Sequence, residues 1–168
     1  SDNYFAKSAY NYSPSLATMS LSFAMSAFGS SDGGQTDYTN KSSNARALLK
    51  EMGFADENIA VNDWFTKKPT TDSIGVIIGN KPVKVKDEEY TLIAVAVRGG
   101  GYEQEWASNF TIGTSGQHQG FNTAKNNVLS YLKQYISKQG ISGQVKIWVT
   151  GYSRAAATAN LVSGELDK

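Results

Sequence analysis

The chain contains no cysteine. That one absence removes disulfides, thiolate zinc sites and a cysteine nucleophile together. It leaves export open, because exported bacterial proteins can lack cysteine. Histidine is nearly absent too, with His118 the single imidazole. A two- or three-histidine metal site cannot be built from one such residue. No apolar run approaches the roughly 18–20 residues that a membrane-spanning helix needs. Neither sign of charge dominates: 16 Lys and Arg face 15 Asp and Glu, a formal net charge of +1. That balance argues against nucleic acid as a partner, since a phosphate backbone calls for a concentrated basic face. The opening stretch, "SDNYFAKSAYNYSP", has neither the basic nor the apolar region of a signal peptide. Location therefore stays open, with a secreted or cell-surface bacterial setting favoured slightly over a cytoplasmic one.

What is present is the composition of a globular domain. The 168 residues are 40% hydrophobic and 18% charged, enough for one domain with its own core. Ser13 to Phe28 reads as a helix, with Ser13 as N-cap, Pro14 in the first turn and Leu16, Met19, Phe23 and Ala27 on one face. Gly29 to Asn40 reads as a polar loop. Ser43 to Met52 reads as a second helix, with Ala47, Leu48 and Met52 inward and Gly53 as its stop. Ser73–Asn80 and Pro82–Lys86 are strand candidates, the latter alternating apolar and charged residues. "DEEY" (Asp87–Tyr90) then turns the chain. Thr91–Val97 is apolar on both faces, which predicts a buried central strand. Phe121–Gln139 carries a helical stripe of Phe121, Ala124, Val128, Leu132 and Tyr135 or Ile136, ended by Gly140. Gln144–Thr150 is a further strand and Ser153–Leu166 a further helix. Strand, loop, helix, strand, helix is the βαβ order of a parallel sheet covered by helices. The earlier strands would add an antiparallel edge.

One stretch carries candidate chemistry. Gly151-Tyr152-Ser153-Arg154-Ala155 follows an apolar strand and opens a helix. A nucleophile elbow needs that setting: a sharp turn that lifts the serine hydroxyl above the sheet. The positions two before and two after the serine pass close together, so they must be small. Gly151 and Ala155 are small. The same five residues also fit an ordinary βα turn with a serine N-cap. Upstream, "VRGGGYEQEW" (Val97–Trp106) supplies three consecutive glycines. An acyl-transfer site needs backbone N–H donors for an oxyanion, one from the residue after the nucleophile and one from an earlier loop. Arg154 and Gly100 stand where those donors would come from. A glycine at the second place lets substrate approach the backbone closely.

Three segments in order, "AVRGGGYEQEW", "HQGF" and "VTGYSRAAATANL", resemble the class 3 lipases, the fungal-lipase-like branch of the α/β-hydrolase fold. The likeness spans Thr91 to about Leu161 and is nearest to a bacterial, Firmicutes-type subgroup. It implies an α/β fold with a mostly parallel sheet and flanking helices. It implies Ser153 as nucleophile, Gly100 and Arg154 as oxyanion-hole donors through their backbone N–H groups, and Gly151 and Ala155 as supports of the elbow. Tyr102, Trp106 and Phe110 fall where relatives carry a surface lid. Glu103 and Glu105 make that lid segment polar, which weakens the expectation of interfacial activation. The resemblance implies no metal and no cofactor. The matching histidine of the family is not the catalytic one, so His118 is read as positioning the entry to the helix.

The triad order on this fold is serine, then acid, then histidine. After Ser153 the chain holds Glu165 and Asp167 but no histidine. Along a helix at 1.5 Å per residue, Glu165 lies about 18 Å from the serine. Residues 1–168 are therefore expected to form the N-terminal portion of a single hydrolase domain whose C-terminal strands and helices lie elsewhere. The triad Asp and His would come from a further segment, on a separate or cleaved chain. The expected activity is hydrolysis of lipid or other carboxylic esters, with this chain inactive by itself. An acyltransferase, thioesterase or peptidase using the same elbow remains open, as does a non-catalytic binding or scaffold module.

Overall fold

The computed structural model describes residues 2–6, 11–27, 31–32, 35–36, 41–67, 74–98, 119–152 and 154–167. Helix α1 (Pro14–Ala27) is followed by the short antiparallel strands β1 (Ser31–Asp32) and β2 (Gln35–Thr36), then helix α2 (Lys41–Glu51). Strand β3 (Ile59–Val61) sits between two 3-10 turns, Asp56–Asn58 and Asp63–Phe65. Strands β4 (Val76–Val85) and β5 (Glu88–Val97), helix α3 (Gln119–Gln139), strand β6 (Val145–Gly151) and helix α4 (Arg154–Leu166) complete the order.

The larger sheet has four strands in the order β3-β4-β5-β6. It is mixed, not mostly parallel as the sequence suggested. β3 and β5 both run antiparallel to β4, and only the β5–β6 pair is parallel. The cause of the first reversal is local. Lys86 and Asp87 take φ of 50° and 68° and close β4 on β5 in a two-residue hairpin. The turn is thus Lys86–Asp87, and Glu88–Tyr90 already belong to β5. β5 and β6 need a crossover to run parallel, and α3 is that crossover.

The sheet has helices on both faces. On one face α1 and α2 cover Ile77, Leu92, Ala94, Ala96 and Trp148, with Phe23, Leu49 and Phe65 fully buried among them. Burial of each such side chain contributes about 1.5–3 kcal/mol. On the other face α3 and α4 cover Val76, Ile78, Ile93, Val95 and Val97 through Val128, Leu132, Ala155 and Val162. β5 is buried on both faces from Leu92 onward, as its unbroken apolar run requires.

Helix ends follow their sequence signals. The Leu16 N–H donates to Ser13 Oγ at 3.3 Å and caps α1. Gly53 (φ 88°) ends α2, with Phe54 N–H reaching Leu49 O at 3.0 Å and Gly53 N–H reaching Lys50 O at 2.9 Å. Gly140 (φ 63°) ends α3 in the same way, through Ile141 to Ile136 and Gly140 to Ser137.

Other expectations are corrected. Ala47 is exposed, and the buried face of α2 is Ala45 and Leu49, with Leu48 and Met52 partly buried. Gly29–Asn40 is not all loop, since it holds β1 and β2. The two strands expected at Ser73–Asn80 and Pro82–Lys86 are one strand. Lys81 bridges them because its Nζ donates to Met52 O at 2.6 Å, which lets the side chain be buried at the end of α2. Pro82 is tolerated because the β3 ladder stops at Gly79, so no bond is needed on that side.

Two tyrosines on α3 tie stability to pH. Tyr135 Oη donates to Asn58 O and accepts from Asn80 Nδ2 at 2.7 Å. Burial raises its ionisation, against a lowering effect of the Asn80 bond. Burial pushes Tyr131 up to about 12, with Tyr135 adding to the rise. An unfolded phenol ionises near pH 10, at about its unperturbed value. The unfolded chain then loses protons before the folded one. The contribution is intact below about pH 10 and is lost as pH rises through about 12. Melting curves at about pH 9 and about pH 11.5 test this. The fall in Tm should be smaller for Tyr131→Phe than for the unaltered chain, and equal falls would contradict it.

Candidate functional site

In the parallel pair, Val97 of β5 lies opposite Gly151 of β6. The two strands therefore deliver their carboxyl ends to one edge of the sheet, the edge where open α/β sheets bind ligands. Gly100 follows three positions after Val97, and Ser153 two positions after Gly151. Ser153, Gly100, Tyr102, Trp106, Phe110 and His118 lie outside the described residues, as does the side chain of Arg154. The frame from which the first two are suspended is described on both sides.

On the β6 side, the strand ends at Gly151 and α4 begins at Arg154. A Cβ built on Gly151 would stand 2.6 Å from the Ala155 carbonyl carbon, closer still to its oxygen, and 3.1 Å from Ala156 N. Ala155 is 1% exposed. The φ of Gly151 lies outside the left-handed range, which among the described glycines holds Gly53, Gly140 and Gly143. Space, not backbone freedom, thus demands glycine at this position. Arg154 is the first residue of α4, so its N–H belongs to the first turn, where no intrahelical acceptor exists. The positive end of the helix dipole lies there as well.

On the β5 side, Arg98 closes the strand and is 3% exposed. Its N–H donates to Gly75 O at 2.7 Å, and its Nη1 donates to Phe65 O at 2.7 Å and Lys67 O at 3.0 Å. Gly75 is pressed into the same joint, where a Cβ would stand 2.9 Å from Phe65 Cα. Arg98 therefore fixes the root from which residues 99–101 depart. In the sequence Arg98 stands only as a cation after an apolar strand, within the Val97–Trp106 segment, and nothing there names its acceptors.

β6 is also anchored from the opposite face. Thr150 Oγ1 donates to Ser20 O at 2.9 Å and Trp148 Nε1 to Ser20 Oγ at 2.8 Å. The Trp148 ring packs against Phe23 and Phe5, with centroids 5.1 and 5.7 Å away. Beside the turn, Val149, Gly151, Ala156, Asn160 and Ser163 border an open cavity of about 290 Å³.

The acidic residues near the chain's end are not aimed at the turn. Glu165 forms an ion pair with Lys125 of α3 at 3.8 Å. Asp167 follows the last turn of α4, at the far end of the helix from Arg154. Among the described residues, no group of His, Cys, Asp and Glu could hold a metal ion. Among them also, no helix is long and apolar enough to cross a membrane. No protein-family model matches the chain, and neither a curated protein nor a solved structure matches it.

Proposed function

We propose that the protein is a serine carboxylic-ester hydrolase of the class 3 lipase type on an α/β-hydrolase fold. One observation carries this reading: Gly151 is pressed against the backbone of Ala155 across a strand-to-helix turn, at the carboxyl end of a parallel pair. A tight turn with small flanks is what an exposed nucleophile needs. A plain serine-capped βα turn makes no such demand on the residue two before the serine.

In this reading the Ser153 Oγ attacks the acyl carbon of an ester. A histidine from a further segment of the protein takes the hydroxyl proton, and an aspartate of that segment orients the imidazole. The carbonyl oxygen gains the negative charge. The N–H groups of Arg154 and Gly100 hold it, each donor contributing about 10²–10³ in rate. The histidine returns its proton to the departing alkoxide. Water, deprotonated by the same histidine, then releases the acid and restores Ser153. Residues 1–168 would be the N-terminal portion of that domain. The alternative, a non-catalytic module, draws its support from the single imidazole of the chain.

Hydrolysis of p-nitrophenyl esters of graded acyl length by the protein expressed from its complete gene tests the reading. A burst of p-nitrophenol followed by slower turnover is expected, as an acyl-enzyme requires. No release with any acyl length would contradict it. Transfer of the acyl group to an added alcohol or thiol in preference to water would move the assignment to acyltransferase.

A further inference from the structure

The turn at residues 62–67 is fastened at both ends to the edge of the sheet that carries the candidate site. Asn62 N–H donates to Val76 O at 3.1 Å and its Nδ2 to Ile74 O at 2.8 Å, while its Oδ1 accepts from Val76 N–H at 3.0 Å. Three residues on, Phe65 N–H closes the turn on Asn62 O at 3.0 Å, and the Phe65 side chain is fully buried. The buried Arg98 then holds Phe65 O and Lys67 O. Such restraint on a short surface turn suits a residue that must meet a ligand, since precise sites stand on rigid supports.

Between the two fastenings stands Trp64, 40% exposed. A lone exposed ring is ordinary by itself, but the backbone that carries this one is fixed on both sides. Lys67 Nζ lies over the indole, 5.6 Å from the ring centroid, and pairs with Asp63 at 3.8 Å. Asp63 and Lys67 cancel in charge, so the turn favours neither an anion nor a cation. The ring offers contact to an uncharged apolar group.

Strand register gives its distance from the chemistry. Val76, Val97 and Gly151 stand level across β4, β5 and β6. Gly75 precedes Val76, and a Cβ there would stand 2.9 Å from Phe65 Cα, so the turn sits on the end of β4. Ser153 follows the end of β6, two strand spacings away, about 10 Å. In the mechanism above, the alcohol leaves beside the histidine that protonates it. The described residues contain no histidine, so the alcohol does not leave over the turn that they build on β4. The acyl group is left to run that way, across the end of β5.

We propose that Trp64 is a specificity-determining residue, an apolar wall that receives the far end of a medium-length, uncharged acyl chain, and in this the proposal rests on the hydrolase reading above. A chain too short to cross β5 does not reach the ring. A longer one is covered by it and loses apolar surface to water no more, which favours its binding.

Hydrolysis of p-nitrophenyl octanoate and acetate by the protein expressed from its complete gene tests this, with both esters dissolved as monomers. In Trp64→Ala the octanoate-to-acetate ratio of kcat/KM should fall about 10-fold, the effect of one or two methylenes deprived of apolar cover. Trp64→Phe should keep most of the ratio. The ratio is read within one preparation, so a partly unfolded variant leaves the test intact. An unchanged ratio in Trp64→Ala would overturn the proposal. So would a fall confined to octanoate above its solubility limit, since the ring would then touch a lipid surface and not the bound chain. Labelling of Ser153 by a short-chain fluorophosphonate is run beside it. Labelling with an unchanged ratio removes the role of Trp64 alone. A lowered ratio without labelling removes Ser153 as nucleophile and keeps the acyl contact. Neither hydrolysis nor labelling in the unaltered protein removes the hydrolase reading, and this proposal with it.

Discussion

Gly151→Val should lower the melting temperature by about 6–12 °C, the equivalent of about 3 kcal/mol in a domain of this size. The first added carbon already meets the Ala155 carbonyl carbon at 2.6 Å. Both clashing groups are backbone, so neither can swing aside. Gly151 is held by pairing with Val97, and Ala155 sits in the first turn of α4. Relief requires α4 to move off β6, which loosens Ala155, Ala159 and Val162 in the core beneath. Gly164→Ala is the control on the same helix. A Cβ there meets nothing within 4 Å, so the change should stabilise by up to about 1 kcal/mol through helix propensity. Thermal melts of both variants give the comparison. Equal effects would remove the argument that crowding selects glycine at 151.

Ser153→Ala should reduce ester turnover by about 10⁶-fold while leaving the melting temperature within about 1 °C. Under the proposed mechanism the size follows from losing the nucleophile outright. What remains is water attack aided by the oxyanion donors, which typically retain about 10³–10⁴ over the uncatalysed rate. Because those donors are backbone N–H groups, the substitution does not remove them. A loss of only a few-fold would mean that Ser153 helps binding and does not form the acyl-enzyme.

Much of the fold was legible because the signals are local. Ser13, Gly53 and Gly140 act within five residues of themselves, and each marks a helix end. The run Leu92–Val97 announced a strand buried on both faces, and it is. The less legible parts depend on distant partners. Lys81 reads as an exposed break in a strand until Met52 O is beside it. The three residues of β3 are too few to show a period, and β4 defines them by pairing. Ala47 and Ala45 are indistinguishable by hydrophobicity, and only the rotation of α2 against the sheet separates them.

The candidate site divides the same way. The demand for small residues around the turn is written in five consecutive letters, and the crowding of Gly151 on Ala155 has the same origin. The clamp made by Arg98 was not readable, because its acceptors are main-chain carbonyls of Phe65 and Lys67, more than 30 positions earlier. Carbonyls are present at every residue, so no side-chain pattern points to them. The cavity by α4 had a signal in the spacing of Ala156, Ala159, Asn160 and Ser163, which share a helical face. Small residues at that spacing look the same whether they meet a helix, a strand or solvent.

The proposed function requires Ser153 to be an activated nucleophile. Exposure of the complete protein to a fluorophosphonate, followed by peptide mass spectrometry, tests it most directly. One phosphonate should attach, on the peptide that contains Ser153, and heat-unfolded protein or the Ser153→Ala variant should take up none. A folded protein that remains unlabelled, or that is labelled at a different serine, would contradict the account.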